Sequence, residues 1–257
     1  MSQIPQKFYY VWIGDKEKPE IFYQCYNSWK EKMPEYEIIE INDKNFDMKK
    51  HMDKNKFFAE CYKRKLWAYV ADYIRINYLY EHGGIFLDID MEIVKDFTKI
   101  PELTEAENFD FFASFESNEG VGLGLFGVKP ESRMLKKLID FYEDDIWKTR
   151  FFTQPQIIRY IMKDKMSYDF SGKEIIDREN GIYILKKEYF YPFLPHEKFE
   201  KSMLTEENYA IHWWHHSWKG LKPFLFLKTK HLKGIKKYIK KLGIYMQMFR
   251  DFVRNKN

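Results

Sequence analysis

The sequence predicts an α/β fold in which helices alternate with the strands of a largely parallel sheet. Short apolar runs alternate with amphipathic segments through the first 150 residues, which is the order expected for the strands and helices of such a sheet. The chain has 257 residues, of which 45% are hydrophobic. This is enough for one large domain with a sizeable core.

The individual elements follow from apolar periodicity and from turn residues. Strands are predicted where apolar runs end at turn residues, and helices where apolar side chains recur every three or four positions. The predicted strands are 8–13, 36–41, 85–87 running into Asp88, 109–115, 123–128, 181–185 and 209–213. The predicted helices are 19–32, 57–81 and 131–147. Gly83 follows the second of these helices and is a natural C-terminal cap.

Two aspartates stand at the end of the third predicted strand. Asp88 and Asp90 are two residues apart, so their carboxylates share one face of the strand. The carboxyl edge of an open α/β sheet is the usual ligand crevice, and oxygen ligands suit Mg²⁺ or Mn²⁺. Such an ion could hold a diphosphate, although the same pair also suits a plain acidic exit from a strand.

Asp72 and Arg75 lie three residues apart on the helix that precedes this strand, so they share a helix face. One interpretation is a local ion pair. The other is a ligand site, in which the carboxylate receives sugar hydroxyls and the guanidinium holds phosphate or sugar oxygens. The helix leads into the strand through a Gly-Gly turn, which favours a shared site with Asp88 and Asp90.

Several segments together resemble one enzyme family. They are Ile4-Pro5, Tyr10-Val11-Trp12-Ile13-Gly14, 34–38, 68–75, 80–90, Tyr191-Pro192 and 212–218. The chain resembles the glycosyltransferases with a DXD sugar-binding region, a family-32-like group that includes capsular polysaccharide synthesis enzymes and the yeast initiating mannosyltransferase. More distantly it is similar to the glucosylating domains of large clostridial toxins. The resemblance covers most of residues 4–218, and the block from Asp72 to Asp90 is its most specific part.

The resemblance implies a GT-A fold and a retaining transfer from a nucleoside diphosphate sugar. We expect the donor to be a UDP-hexose, the acceptor a surface glycan or lipid-linked glycan, and the cofactor Mn²⁺ or Mg²⁺. The catalytic residues implied are Asp72, Arg75, Asp88 and Asp90. The nucleotide would be bound by Val11, Trp12, Ser217 and Trp218, the donor sugar by Asp72, Arg75 and Asp88, and the metal by Asp88, Asp90 and His212.

The chain departs from the family pattern at two places. The family often has His where this chain has Tyr9. Its closing His-His-Trp motif is shifted here, which leaves open whether His212 or His215 joins the metal. Glu116 either faces the donor sugar or acceptor or is a charge at the edge of a loop. Asp110 is expected on the surface.

Two other classes of protein stay open at this stage. Haloacid-dehalogenase-like phosphatases also place Asp-x-Asp at a strand end, but here Met91 and Glu92 follow the pair, which is not their pattern. A non-catalytic carbohydrate- or membrane-binding protein on a transferase scaffold is the second alternative. Asp72 and Arg75 before the strand favour transfer over phosphatase chemistry, and the full set of Asp72, Arg75, Asp88 and Asp90 argues against a non-catalytic protein.

Positive charge is concentrated at the C-terminal end. Residues 228–257 carry a net charge of +9 and the remaining 227 residues −5. From residue 232 onward, apolar side chains recur every three or four positions between lysines, which predicts a basic amphipathic helix. We therefore divide the chain into a transferase domain, 1–222, and a helical extension, 223–257. The helix either docks on an anionic membrane surface or packs its apolar stripe on the body, and the acidic body disfavours nucleic-acid binding.

Cysteine content and the N-terminus bear on the compartment. Cys25 and Cys61 form no CxxC pair and imply no disulfide framework. The first ten residues lack the basic and apolar regions of a signal peptide, and no apolar run approaches the length of a membrane span. We expect a cytoplasmic protein, in which the C-terminal helix allows a peripheral position on the inner face of the cell membrane.

Overall fold

The computed structural model describes residues 4–171, 173–215 and 221–254. The strands are β1 Lys7–Val11, β2 Glu37–Ile41, β3 Gly84–Leu87, β4 Met91–Ile93, β5 Phe111–Phe115, β6 Val121–Val128, β7 Ile175–Asp177, β8 Ile182–Leu185 and β9 Ala210–His212. The α-helices are α1 Glu20–Lys32, α2 Met48–Lys54, α3 Lys56–Lys63, α4 Trp67–His82, α5 Pro101–Thr104, α6 Arg133–Asp140, α7 Gln154–Tyr160, α8 Lys187–Phe190, α9 Leu221–Thr229 and α10 Gly234–Arg254.

Seven strands form a central sheet in the order β2-β1-β3-β6-β5-β8-β7. The pairs β1/β2, β1/β3 and β5/β8 are parallel, and β3/β6, β5/β6 and β7/β8 are antiparallel. Five strands therefore point the same way, while β6 and β7 run against them. The predicted α/β fold with a mostly parallel sheet is confirmed. Strands β4 and β9 form a second, two-stranded sheet.

Helices cover both faces of the central sheet, because successive side chains of a strand point to opposite sides. In β1, Tyr9 packs with Phe86 of β3 in a core that α3, α4, α6 and α7 share. Phe8 and Tyr10 point the other way and pack with residues of α1 in a second core. Strands buried on both faces read as near-continuous apolar runs, which is why their positions could be predicted from sequence.

The predicted helix 57–81 is wrong as a single element, since it consists of α3 and α4. Lys65, between them, has a φ of 57°, a left-handed conformation that an α-helix of L-residues does not continue through. The predicted helix 131–147 is also too long, because α6 gives way to a π-helical turn at Phe141–Asp145. Helices α2 and α7 and strands β4 and β7 were not predicted.

Asp110 is not on the surface as predicted, because its side chain is fully buried. The carboxylate accepts hydrogen bonds from Ser132 Oγ at 3.0 Å and from the backbone N–H groups of Arg133 and Met134, both at 2.9 Å. These donors lie at the start of α6, where the first N–H groups have no partner within the helix and favour a negative charge. Asp110 therefore caps α6 from outside the helix.

The C-terminal region attaches to the body through α9. Leu227 belongs to the same core as α4, and the Phe226 ring lies 6.2 Å from that of Trp147. Beyond α9, the buried Lys230 ammonium donates to the backbone oxygens of Ile146 and Thr149. Among the described residues, none of the helices combines the length and apolarity that a membrane span needs.

Candidate active site

Asp88 directly follows β3 and stands at the carboxyl edge of the sheet. Its backbone N–H donates to Gly124 O of β6 at 2.7 Å, which extends the pairing of β3 and β6 by one residue. Its side chain is partly exposed at 34%, so it can still meet a ligand. The neighbouring β1 ends at the same edge with Val11, because β1 and β3 are parallel. Strand ends at such an edge are where α/β folds bind ligands.

Arg75 joins helix α4 to this edge. Its guanidinium donates to Asp72 Oδ1 at 2.5 Å, to Asp88 Oδ1 at 3.1 Å and to the backbone oxygen of Leu123 at 2.9 Å. Its Nε donates to Gln154 Oε1 at 2.7 Å. Because a guanidinium has five N–H donors, these contacts use four, and one donor on Nη2 has no partner among the residues that the structure describes. Arg75 is therefore first of all a clamp that fixes the positions of two carboxylates.

Gln154, at the start of α7, completes the clamp. It accepts from Arg75 and its amide donates to the backbone oxygen of Asp72 at 2.6 Å. The residue is 1% exposed, so both of its hydrogen bonds are shielded from water. The sequence pattern gave no signal for Gln154, since it lies 82 residues after Asp72.

Asp90 lies two residues after Asp88. Contacts from residues 212–215 hold it in place. Its Oδ2 accepts from the backbone N–H of His215 at 2.6 Å, and its backbone oxygen accepts from Trp213 N at 3.0 Å. His212 Nε2 lies 3.2 Å from Asp90 Oδ1. The pairing of β4 with β9, which sets His212 opposite Met91, makes these contacts possible.

Asp88, Asp90 and His212 fit a divalent cation. One ligand atom from each lies within 4.8 Å of the others, and two carboxylates with one imidazole suit Mn²⁺ or a related ion. The Nδ1 atom of His212 is buried without a hydrogen-bond partner among the described residues, and such an orphaned atom calls for an explanation. The imidazole also packs 4.1 Å from the Trp214 ring. Of the two imidazoles considered, His212 is the one that lies with both aspartates.

Burial and mutual charge set the protonation of these groups. Burial raises the pKa of Asp88, with Arg75 opposing and Asp90 adding to the shift. Burial also disfavours the charge of Asp90, but His212 and hydrogen bonds outweigh it and lower the pKa overall. Burial lowers the pKa of His212, and Asp90 reverses this so that the net shift is upward. A protonated His212 imidazole therefore offsets the negative charge of Asp88 and Asp90, as a bound cation would.

The Asp72 carboxyl also responds to its surroundings. Burial raises its pKa to about 6, against the attraction of Arg75 and with the repulsion of Asp88. The pKa of Glu116 is raised, first by burial, and His212, Arg75, Asp88 and Asp72 all act on it. Glu116 therefore lies within electrostatic range of these four groups, and both interpretations of its role stay open.

Tyr191 is a part of the site that sequence reasoning did not assign. Its ring is fully buried, and its hydroxyl accepts from Gly124 N at 3.0 Å. A Cβ placed on Gly122 would lie 2.4 Å from the Tyr191 ring, and one on Gly124 would lie 3.1 Å from Asp88 Oδ2. Gly122 and Gly124 therefore make room for Tyr191 and Asp88. The signal in the sequence was the Gly-x-Gly spacing within an otherwise apolar strand.

The predicted nucleotide-binding residues are only partly placed. Val11 ends β1, and Trp12 follows with its Nε1 donating to the backbone oxygen of Lys16 at 2.9 Å. Trp12 is partly exposed, and the Lys18 ammonium lies over its ring, 5.7 Å from the ring centre. Ser217 and Trp218 lie outside the described residues.

The fold and the site together define an α/β protein with an acidic site at the carboxyl edge of its sheet. Arg75 fixes two carboxylates there, and Asp88, Asp90 and His212 fit a divalent cation. Residues 19–109 match the family described as "Glycosyltransferase sugar-binding region containing DXD motif". This segment contains Asp72, Arg75, Asp88 and Asp90, and the match supports a glycosyltransferase. A comparison with curated proteins gave no match.

Solved structures give distant likenesses. PaToxG glycosyltransferase is 16% identical, with 64% of this chain and 70% of that chain covered and a TM-score of 0.48. A glycosyltransferase involved in the glycosylation of the major capsid of PBCV-1 is 10% identical, with 81% and 93% covered and a TM-score of 0.43. At these sequence identities and TM-scores, the two structures do not assign a function to this chain.

Proposed function

We propose that the protein is a glycosyltransferase that moves a hexose from a nucleoside diphosphate sugar to a glycan acceptor. The observation that carries the proposal is the meeting of Asp72, Arg75, Asp88, Asp90 and His212 at one sheet edge, four of them within the matching family segment. The finer proposal is a UDP-hexose donor, a retaining transfer and an acceptor in surface glycan synthesis. The resemblance set out above supports it.

Asp88, Asp90 and His212 are proposed to hold Mn²⁺ or Mg²⁺. When bound there, the ion supplies positive charge beside the diphosphate as the diphosphate leaves. Asp88 also accepts from Arg75, so the same clamp that orients Asp72 orients a metal-binding carboxylate. Trp12 and Val11 are proposed to receive the nucleotide base at the end of β1.

Asp72 and Arg75 are proposed to position the donor sugar. Asp72 keeps an oxygen for sugar hydroxyls while its Oδ1 accepts from Arg75. Arg75 has one N–H left for a ligand oxygen, so its contribution to the leaving group is limited to a single hydrogen bond and its charge. The catalytic effect expected of such a site is positioning together with fixed electrostatic stabilisation.

For the transfer itself we propose front-face attack. The acceptor oxygen bonds to the anomeric carbon as the bond from that carbon to the diphosphate oxygen breaks, and the acceptor proton passes to the leaving diphosphate. Arg75 already engages Asp72 and Asp88, and the pKa of Glu116 is raised. These carboxyl groups are thus not set up as strong nucleophiles.

The test is release of nucleoside diphosphate from a panel of nucleotide sugars with Mn²⁺, with and without EDTA. We expect slow hydrolysis of one donor, lost with EDTA and in Asp90→Asn. Binding of a donor without turnover, unchanged in Asp90→Asn, would indicate a non-catalytic binding protein. Hydrolysis of simple phosphate monoesters instead would indicate a phosphatase.

A further inference from the structure

Helix α10 exposes a continuous apolar face. Its residues are Ile235 (75% exposed), Tyr238 (71%), Ile239 (61%), Leu242 (52%), Tyr245 (48%) and Met246 (52%). Exposed large apolar side chains that occur singly need no explanation, but a contiguous group of them marks an interaction surface. This group, the apolar face of α10, is therefore a candidate interaction surface.

The apolar face points away from the body of the protein. With a rotation of about 100° per residue, its six side chains fall within an arc of about 120°. Ile244 lies nearly opposite the centre of this arc and is 9% exposed. The helix thus packs inward through the side that carries Ile244. The six side chains of the apolar face are exposed, so they do not pack on the body, which was one of the two expectations for this helix.

Lysines border the apolar face on both sides. Lys236 lies about 60° beyond one edge of the arc and is exposed, and Lys241 lies about 40° beyond the other edge and is partly buried. Interfaces between proteins are depleted in lysine, whereas helices that lie in the surface of a membrane carry lysine beside an apolar face. The charge pattern therefore favours an anionic lipid surface over a protein partner.

The base of α10 is fixed to the body. Lys230 is 5% exposed, and its ammonium donates to the backbone oxygens of Ile146 and Thr149. The guanidinium of Arg64 lies 4.3 Å from the centre of the Phe226 ring on α9. Because α9 is held in this way, α10 starts from a fixed point and presents its apolar face in a defined direction.

We propose that the apolar face of α10 docks on a membrane surface that contains anionic lipid. The six apolar side chains enter the boundary between headgroups and acyl chains, and the flanking lysines stay among the headgroups. Docking does not depend on the transferase activity. We also propose that docking brings a lipid-linked acceptor to the site, on the inner face of the cell membrane. This second step rests on the proposed function.

The experiment is flotation of the full chain with vesicles of neutral phosphatidylcholine, or of the same lipid with about 30% phosphatidylglycerol. We expect binding to the anionic vesicles that weakens as salt is raised. Two variants separate the contributions. Ile239→Ser/Leu242→Ser/Met246→Ser removes apolar contact and is expected to weaken binding about a hundredfold. Lys236→Gln/Lys241→Gln is expected to weaken it about thirtyfold, at about 1 kcal/mol per lysine.

Matched controls change the same chemistry elsewhere. Tyr23→Ser removes an exposed aromatic side chain on α1, and Lys49→Gln/Lys99→Gln removes two exposed lysines of the body. Both are expected to bind vesicles as the parent chain does. Equal binding to neutral and anionic vesicles, or equal loss in the controls, would overturn the proposal. So would self-association that the triple variant abolishes without any vesicle binding, since the face would then be an interface between two copies.

The outcome is independent of the transferase test. A chain that hydrolyses a nucleotide sugar and ignores anionic vesicles disproves the docking alone. A chain that binds the vesicles and hydrolyses no donor keeps the docking and disproves the proposed activity.

Discussion

The His212 imidazole lies 3.2 Å from the Asp90 carboxylate, although the two residues are far apart in the sequence. The antiparallel pairing of β4 and β9 sets His212 opposite Met91 and the backbone of Trp213 against that of Asp90. A strand pair outside the central sheet thus completes the group that also contains Asp88. We therefore expect the affinity of the proposed metal site to depend on the segment that contains His212.

His212→Ala is expected to weaken Mn²⁺ binding about tenfold or more, because one of three candidate ligands is removed. His215→Ala is the matched control. His215 contacts Asp90 through its backbone N–H, which alanine retains, and its side chain is exposed. Calorimetric titration of Mn²⁺ into both variants is the measurement. Equal affinities would show that His212 does not ligate the ion.

Arg75→Lys is expected to lower the free energy of unfolding by about 2–4 kcal/mol. Lysine keeps the positive charge but cannot reach Asp72, Asp88 and Gln154 together, so buried acceptors lose their partners. Arg178→Lys is the control, since its pair with Glu105 is exposed on both sides and such pairs contribute about 0–1 kcal/mol. Urea denaturation of both variants gives the comparison, and similar midpoints would mean that the clamp adds nothing to stability.

The sequence indicated the parts of the site that depend on local spacing. Asp72 and Arg75 share a helix face, and Asp88 and Asp90 follow one strand, so two short motifs suffice to predict four residues. His212 came from the family resemblance and not from spacing. Gln154 was missed, because its contact to Arg75 is made across the fold and leaves no local pattern. The role of Tyr191 was missed because the Gly-x-Gly spacing of β6 indicates a bulky neighbour without showing which residue it is.

The same division applies to the fold. Apolar runs such as 8–13 and 109–115 predicted central strands, because strands buried on both faces are apolar along their length. The break at Lys65 was missed, since apolar side chains on both sides of it keep a helical spacing. Asp110 was misplaced, because a charged residue in a sequence carries no sign that a helix start will bury it.

Gln154→Leu is expected to raise the donor KM or lower kcat by about tenfold to a hundredfold. The substitution removes the acceptor of Arg75 Nε and the donor to Asp72 O, so the guanidinium and the sugar-facing carboxylate lose their fixed positions. Gln154→Glu restores the acceptor and is expected to recover part of the activity. Steady-state hydrolysis of the donor distinguishes these outcomes. A loss of stability with unchanged kinetic constants would make Gln154 a packing residue only.

Asp110→Ala is expected to destabilise the fold by about 2–4 kcal/mol. Three donors at the start of α6 lose their acceptor, and at least some of them stay buried without a partner. Asp47→Ala serves as control, because Asp47 caps α2 with a single hydrogen bond to Lys50 N in an exposed setting. That loss is expected to be about 1 kcal/mol. Equal costs for both would show that the burial of Asp110 is not important.

The last prediction concerns Gly122 and Tyr191. A Cβ on Gly122 would lie 2.4 Å from the Tyr191 ring, closer than atoms can approach, so Gly122→Ala must displace the ring or the strand. The cost is expected to be about 1–3 kcal/mol, which is usual for overpacking. Because Tyr191 OH accepts from Gly124 N next to Asp88, donor hydrolysis should fall as well.

A double-mutant cycle separates this clash from a general weakening of β6. In a Tyr191→Leu background the ring is absent, so adding Gly122→Ala should cost less than it does alone, with a coupling of about 1 kcal/mol or more. Gly243→Ala is the control for added methyl groups, since nothing lies within 4 Å of its Cβ position and alanine favours the helix. Additive costs for Gly122→Ala and Tyr191→Leu would mean that the glycine is required by the strand and not by the tyrosine. In that case Tyr191 could not be the reason that β6 carries a glycine at position 122.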